Sequence, residues 1–115
     1  MGYYTDFNIN IKLQNEEEIR EDLVKDIIKK LAEITGYEER TWDSYSPDHI
    51  YINGKWYESL EDMKKVSLAF PTLLFTIEGK GEEDTDMWTE WAKNGKGYHE
   101  DVKIIYPEYD ESKMK

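Results

Sequence analysis

The spacing of hydrophobic residues changes near the start of the chain, from every second position to every third or fourth. This order of the two patterns restricts the fold more than any other feature. Apolar and polar residues alternate over 3–13, which predicts a strand with one buried face. Apolar residues then recur every three or four positions over 19–34, which predicts a long amphipathic helix. We expect Asn15 to cap this helix, Glu18 to complete a capping box and Gly36 to end it.

An Asn-Gly dipeptide at 53–54 lies between aromatic and β-branched residues, and this pattern is the strongest short signal for a β-hairpin. Both residue types accept the positive φ angles of a type I′ turn. The dipeptide therefore predicts a hairpin of 49–52 with 55–57, in which Tyr51 lies opposite Trp56.

A shorter helix is predicted after this hairpin, followed by another strand. Ser59 is the predicted N-cap, with Asp62 at the capping-box position, and Pro71 is expected to end the helix. Alternation of apolar and polar residues over 72–78 predicts the strand.

A second Asn-Gly dipeptide at 94–95 predicts a hairpin of 87–93 with 96–106. A two-residue loop fixes which residues lie opposite one another in the two strands. The predicted cross-strand pairs are Trp91 with Tyr98 and Glu90 with His99.

The predicted order of elements is a strand, a long helix, a short hairpin, a helix and a three-stranded meander. Helices that leave one strand of a sheet and return to another lie on one face of it. The sequence therefore predicts an α+β two-layer sandwich with an antiparallel or mixed sheet, as a ferredoxin-like variant with an extra hairpin. We expect one domain over 1–115, with a charged tail at 107–115 that frays.

The composition restricts the environment and the partners. The chain has no cysteine, which excludes disulfides, thiolate metal sites and a thiol nucleophile. Its 15 basic and 26 acidic residues leave a net charge of −11, which repels nucleic-acid backbones and anionic membranes. No apolar run reaches about 18 residues, and the chain does not open with a signal-peptide pattern. We therefore expect a cytoplasmic protein that binds neither membranes nor nucleic acid directly.

No group of residues has the spacing of a known catalytic or metal-binding motif. Neither His49 nor His99 belongs to a zinc-type pattern, and a lone histidine near a strand is typically a surface or cross-strand residue. An EF-hand starting at Glu82 would place glycine and glutamate where the chain has Met87 and Lys93. This acidic run is therefore interpreted as a solvated loop, with a weak divalent-cation site as the alternative. We expect no enzymatic activity and no cofactor.

Aromatic and acidic residues are both more numerous than a small core requires. The 4 Trp, 9 Tyr and 3 Phe residues exceed what a two-layer core of this size buries, and Trp and Tyr often anchor protein interfaces. The segment 78–111 holds eleven acidic residues against four lysines. A rigid acidic surface can occupy a basic groove whose usual ligand is nucleic acid. The predicted binding residues are Glu82, Glu83, Asp84, Asp86, Trp88, Glu90, Trp91, Tyr98, Glu100 and Asp101.

Seven short motifs are spread over the second half of the chain. They are Lys55-Trp56-Tyr57, Glu61-Asp62-Met63, Phe70-Pro71, Leu73-Leu74-Phe75, Gly79-x-Gly81-Glu82-Glu83, Asp86-x-Trp88 and Asn94-Gly95-Lys96. With these motifs the chain resembles a family of small acidic proteins encoded by bacteriophages and prophages. The resemblance covers most of the chain and is weakest at 42–52. More distantly, the order of elements resembles ferredoxin-like families of phages and plasmids.

The resemblance implies an accessory phage protein that disables a host defence component, and its motifs are structural rather than catalytic. We therefore expect a counter-defence inhibitor of the anti-CRISPR or anti-restriction type, acting in the host bacterial cytoplasm. Its expected partner is a host protein with a basic nucleic-acid-binding groove. Two alternatives stay open: a binder of a small defence nucleotide, with Arg40 beside Trp42 as candidate site, and a phage structural protein. Pairing of two copies through an edge strand also stays open.

Overall fold

The computed structural model describes residues 4–13, 21–46, 48–82, 86–102 and 108–114. In these residues a six-stranded antiparallel sheet has the order β2-β3-β1-β4-β5-β6. The strands are β1 Thr5–Leu13, β2 Asp43–Ser46, β3 His49–Gly54, β4 Leu73–Lys80, β5 Met87–Lys93 and β6 Lys96–Asp101. The helices are α1 Glu21–Thr35 and α2 Ser59–Ala69, and two short 3₁₀ turns span Glu39–Thr41 and Glu111–Lys113.

One face of the sheet packs against both helices. In β1, Phe7, Ile9 and Ile11 are at most 2% exposed, whereas the polar residues between them are only partly buried. The helices complete the same core with Val24, Ile27, Leu31, Met63 and Val66. The predicted α+β class with two helices is confirmed, and the sheet is antiparallel.

The central strand is β1, which pairs with β3 on one side and β4 on the other. Ile9 lies opposite Ile50 of β3 and Ile77 of β4, and all three side chains are fully buried. Full burial of one such side chain contributes roughly 1.5–3 kcal/mol. This row of isoleucines therefore fixes the register of the three central strands, since a slip by one residue would expose it.

The predicted hairpin at Asn53-Gly54 was wrong. Both residues lie in β3, neither has a positive φ, and Asn53 pairs with Asp6 of β1. The hairpin partner of β3 is β2, which puts Asp43 rather than Trp56 opposite Tyr51. The pairing of β3 with the central strand β1 outweighs the local turn preference of the dipeptide. This pairing buries the apolar side chains of both strands, which a turn at 53–54 would not do.

The hairpin predicted at Asn94-Gly95 is confirmed. Asn94 has a φ of 49° and Gly95 a φ of 80°, as a type I′ turn requires. The turn joins β5 to β6, and both predicted cross-strand pairs form. β6 is described as far as Asp101, and residues 103–106 of its predicted range lie outside the described residues.

The predicted C-terminal ends of both helices agree with the structure. Gly36 has a φ of 81°, and its N–H donates to the Ala32 carbonyl at 2.9 Å, so the predicted end of α1 is confirmed. α2 ends at Ala69, before Pro71, as expected. The predicted N-terminal cap of α1 at Asn15 and Glu18 lies outside the described residues.

The capping box predicted at the start of α2 was wrong. The cap position is taken by Glu58, whose side chain makes no capping hydrogen bond, and Ser59 is already helical. The Ser59 hydroxyl donates to Glu90, and the Asp62 carboxylate accepts from the Trp56 indole. Both side chains form hydrogen bonds with residues outside the helix, which local spacing does not reveal.

The two Asn-Gly dipeptides allow a matched test of where the chain turns. We expect Gly95→Ala to destabilise the protein by about 1–2 kcal/mol, because the residue has a positive φ and its Cβ would lie 2.6 Å from Leu68 Cδ2. Gly54→Ala should be close to neutral, because its φ is not positive and nothing lies within 4 Å of the new Cβ. Urea unfolding of the two variants measures both effects, and equal losses would contradict this assignment of the turns.

Candidate functional site

A pocket of about 350 Å³ opens on the helix-covered side of the sheet, between the start of α2 and strands β5 and β6. Its aromatic lining residues are Phe7, Trp56, Tyr57 and Trp88, and its polar lining residues are Thr5, Ser59, Asp86, Glu90 and His99. The Phe7 ring lies between two indoles, with its centroid 5.2 Å from that of Trp56 and 5.4 Å from that of Trp88. Aromatic walls with a few polar groups are typical of small-molecule sites.

A chain of hydrogen bonds runs along the polar side of the pocket. The Ser59 hydroxyl donates to Glu90 Oε1 at 2.6 Å, and His99 Nδ1 lies 2.9 Å from Glu90 Oε2. His99 Nε2 lies 2.9 Å from Asp101 Oδ1. Glu90 is only 5% exposed, so its carboxylate depends on these partners for the hydrogen bonds that water would otherwise supply.

The geometry favours the doubly protonated form of His99. Each ring nitrogen faces a carboxylate oxygen, and only an imidazolium can donate to both. The hydrogen bond to Glu90 and then that to Asp101 raise the pKa of His99 above its ordinary value, against a smaller opposite effect of burial. The imidazolium also lies beside the Trp88 indole, with ring centroids 5.5 Å apart.

Both indoles of the pocket are held in place by contacts behind them. The Trp56 Nε1–H donates to the buried Asp62 carboxylate at 2.8 Å. Trp88 packs over Gly79, its cross-strand neighbour in β4, so closely that a Cβ on Gly79 would lie 2.3 Å from Trp88 Cζ2. The absence of a side chain at Gly79 is therefore what makes room for the Trp88 ring.

The other face of the sheet carries a different set of the predicted residues. The Trp91 and Tyr98 rings stack with a centroid distance of 4.6 Å and an interplanar angle of 22°, and Tyr98 is 54% exposed. Glu100 is exposed two residues further along β6. This face is therefore open and partly aromatic, and it lies on the opposite side of the sheet from the pocket.

A carboxylate of β1 also lies on this open face. Asp6 Oδ1 accepts hydrogen bonds from the Tyr51 hydroxyl at 2.6 Å and from the Asn53 amide at 2.7 Å. These two hydrogen bonds, helped by nearby Lys80, hold the pKa of Asp6 below its usual value. Asp6 therefore keeps its negative charge over a wide pH range.

Charge is segregated along strands β4 to β6. The carboxylates near the β4–β5 connection, which we call the acidic end, are Glu78, Glu82, Asp86, Glu100 and Asp101. Lys80 lies among them, whereas Lys93 and Lys96 flank the β5–β6 turn at the other end of these strands. The pocket opens at the acidic end, because Asp86 belongs to both.

The structure divides the predicted binding residues into groups. Asp86, Trp88, Glu90 and Asp101 lie at or beside the pocket, and Trp91, Tyr98 and Glu100 lie on the open face. Glu82 is exposed and accepts a hydrogen bond from the Tyr4 backbone N–H at 3.1 Å. Glu83 and Asp84 lie outside the described residues. The prediction of one continuous surface was therefore too simple, because neighbouring residues of a strand point to opposite faces.

Sequence reasoning missed six of the pocket residues, namely Thr5, Phe7, Trp56, Tyr57, Ser59 and His99. Ser59 was assigned to a helix cap and His99 to an ordinary cross-strand pair, while Phe7 and Trp56 were assigned to strands without a role in a site. The predicted cross-strand pair of Glu90 with His99 was the sequence feature that could have revealed the polar side of the pocket. Since residues 99 and 101 of one strand share a face, that pair already placed three titratable groups together.

Comparison of the chain with family models, curated proteins and solved structures finds no match. Among the described residues no helix is long and apolar enough to span a membrane. The same residues contain no group of three or more His, Asp or Glu side chains arranged to hold a metal ion.

The protonation of His99 makes the stability of the protein pH-dependent. The pKa is raised in the folded state, so the contribution of the imidazolium is fully present below pH 6.5 and is lost as the pH rises through the folded value. We expect His99→Gln to destabilise the protein more at about pH 5.5 than at about pH 8.5.

Urea unfolding at both pH values measures this difference. An NMR titration of the His99 ring in the wild-type protein should give a pKa above 6.5, and Asp101→Asn should lower that pKa by replacing a charged acceptor with a neutral one. Equal losses of stability at the two pH values, or a wild-type pKa below 6.5, would contradict the assignment.

Proposed function

We propose that the protein is a non-enzymatic inhibitor that binds a nucleic-acid-handling protein through its acidic end. The observation that carries this proposal is the segregation of charge, because carboxylates cluster at one end of β4 to β6 and lysines flank the turn at the other. Such a surface would match a basic cleft and compete there with nucleic acid, since its carboxylates can stand in for phosphates.

The aromatic residues near the acidic end support a protein partner. Trp88 at the pocket and Trp91 with Tyr98 on the open face are all incompletely buried. Rings of this kind supply apolar contact area that long charged side chains lack, and they lose little rotamer freedom on binding. Together with the resemblance to small acidic phage proteins, they favour a counter-defence role of the anti-CRISPR or anti-restriction type.

The alternative of a nucleotide binder has less support. None of the described residues that line the pocket is Lys or Arg. The imidazolium of His99 also lines the pocket, but both of its N–H groups already face the carboxylates of Glu90 and Asp101. Arg40 pairs with Glu38 at 2.6 Å and is not a pocket residue. The alternative of a structural protein that self-associates would use β6, which forms one edge of the sheet.

We also propose that β1 to β4 with the two helices form a variant of the ferredoxin-like arrangement. The support for this is that β1 lies between β3 and β4, antiparallel to both. The order of the whole sheet differs from a four-stranded arrangement, because β5 and β6 extend it beyond β4.

A charge-reversal experiment tests the proposed function. We expect the triple variant Glu78→Lys, Glu82→Lys, Glu100→Lys to lose roughly three- to hundredfold in inhibition, because each lost charge pair is worth about 0.2–1 kcal/mol. The assay measures how much the protein slows DNA cleavage by each member of a panel of purified CRISPR effectors and restriction endonucleases, at low and at high salt.

The matched control is the triple variant Asp22→Lys, Asp26→Lys, Glu33→Lys. These three residues are exposed on α1, and the substitutions change the net charge by the same amount. The control should inhibit as the wild-type protein does. If both triple variants lose inhibition equally, net charge rather than the acidic end is responsible; if no panel enzyme is inhibited, the counter-defence role is wrong.

A further inference from the structure

The pocket beside α2 has the composition of a site for an organic cation. We propose that it binds an alkylammonium or guanidinium group carried on an apolar stem. Such a group can belong to a free amine or to a Lys or Arg side chain of a partner protein. Binding of a partner's side chain rests on the proposed function, whereas binding of a free amine does not.

The aromatic rings supply one half of this recognition. Phe7 forms the base of the pocket between the Trp56 and Trp88 indoles, at centroid distances of 5.2 and 5.4 Å. The faces of aromatic rings carry negative potential and attract cations, most strongly in tryptophan. The same rings offer apolar surface to the methylene groups of a stem.

The charges around the pocket supply the other half. Glu90 is buried, and the imidazolium of His99 offsets its charge. The carboxylates of Asp86 in the lining and Asp101 behind His99 remain, so the site keeps a net negative charge of two. A volume of about 350 Å³ holds a side chain of the length of arginine or lysine.

An anion is the less suitable occupant of this pocket. The start of α2 would attract one through its backbone N–H groups, but the helix carries Glu58, Glu61 and Asp62 in this region. The carboxylate of Glu90 also lies there already, bonded to Ser59 in the first turn. The described lining residues include no lysine or arginine that would pair with a second negative charge.

The binding groups are positioned before any ligand arrives. Asp62 holds the Trp56 indole by its N–H, and Gly79 lets the Trp88 ring lie against β4. Glu90 is held by Ser59 from the helix and by His99 from the neighbouring strand. A cation would therefore enter without reorganising the walls, which reduces the entropic cost of binding.

Probes of matched shape test the proposal with the full-length protein. N-acetyl-arginine methylamide and N-acetyl-lysine methylamide should bind saturably, with Kd on the order of 1 mM for ligands of this size. N-acetyl-citrulline methylamide has the shape of the arginine probe without its charge and should bind at least about tenfold more weakly. NMR spectra report the site directly through the Trp88 indole N–H and the His99 ring signals.

Variants of the pocket show whether the signals come from this site. Asp86→Asn removes one negative charge with almost no change of shape, and it should weaken the arginine probe about two- to fivefold. Trp88→Leu should weaken it by a similar factor through loss of the indole face. Asp26→Asn removes the same charge from the exposed surface of α1 and should leave the affinity unchanged.

The outcomes separate the two sources of the cation. Tighter binding of free agmatine than of the capped peptide Gly-Arg-Gly supports a free amine, and equal or tighter binding of the peptide supports a partner side chain. Equal affinity for the citrulline and arginine probes overturns the proposal, as does a lack of shifts at Trp88 and His99 up to about 50 mM probe. Such a failure leaves the charge-reversal result at Glu78, Glu82 and Glu100 intact, because none of these residues lines the pocket, so the two proposals fail independently.

Discussion

The pairing of β1 with a strand on each side is the constraint on which the rest of the structure depends. Ile9, Ile50 and Ile77 form a fully buried row across the three strands, and a slip of one residue would turn that row to solvent. The same register places Phe7 beside Gly79, the residue over which Trp88 packs. The base and one wall of the pocket therefore follow from the pairing that forms the core.

Glu90 links this core to the surface chemistry. A carboxylate that is 5% exposed would strongly destabilise the fold if its oxygens had no partners. Ser59 from α2 and His99 from β6 supply those partners, so the helix and the edge hairpin are joined through one side chain. The protonation of His99 thus affects both the stability of this junction and the charge of the adjacent pocket.

Elements whose signals are local could be predicted well. The hairpin at Asn94-Gly95 forms as expected, because β6 pairs only with β5 and no other strand competes for those residues in the described part of the chain. The identical dipeptide at Asn53-Gly54 lies inside β3, because that strand pairs with β1 along its length. The two dipeptides carry the same local preference for a turn. They differ in their surroundings, because among the described residues only 53–54 lie beside a strand, β1, with which they can pair.

By itself, the sequence determined the α+β class, most strand positions and the excess of negative charge, because periodicity and composition are properties of the chain alone. Only the tertiary structure decided which face of the sheet the helices cover, and therefore which of the candidate residues lie at a pocket and which on an open face. It also brought Ser59, Trp56 and His99 to one pocket, since these side chains come from separate elements. Their meeting depends on strand order and helix packing, which no local pattern encodes.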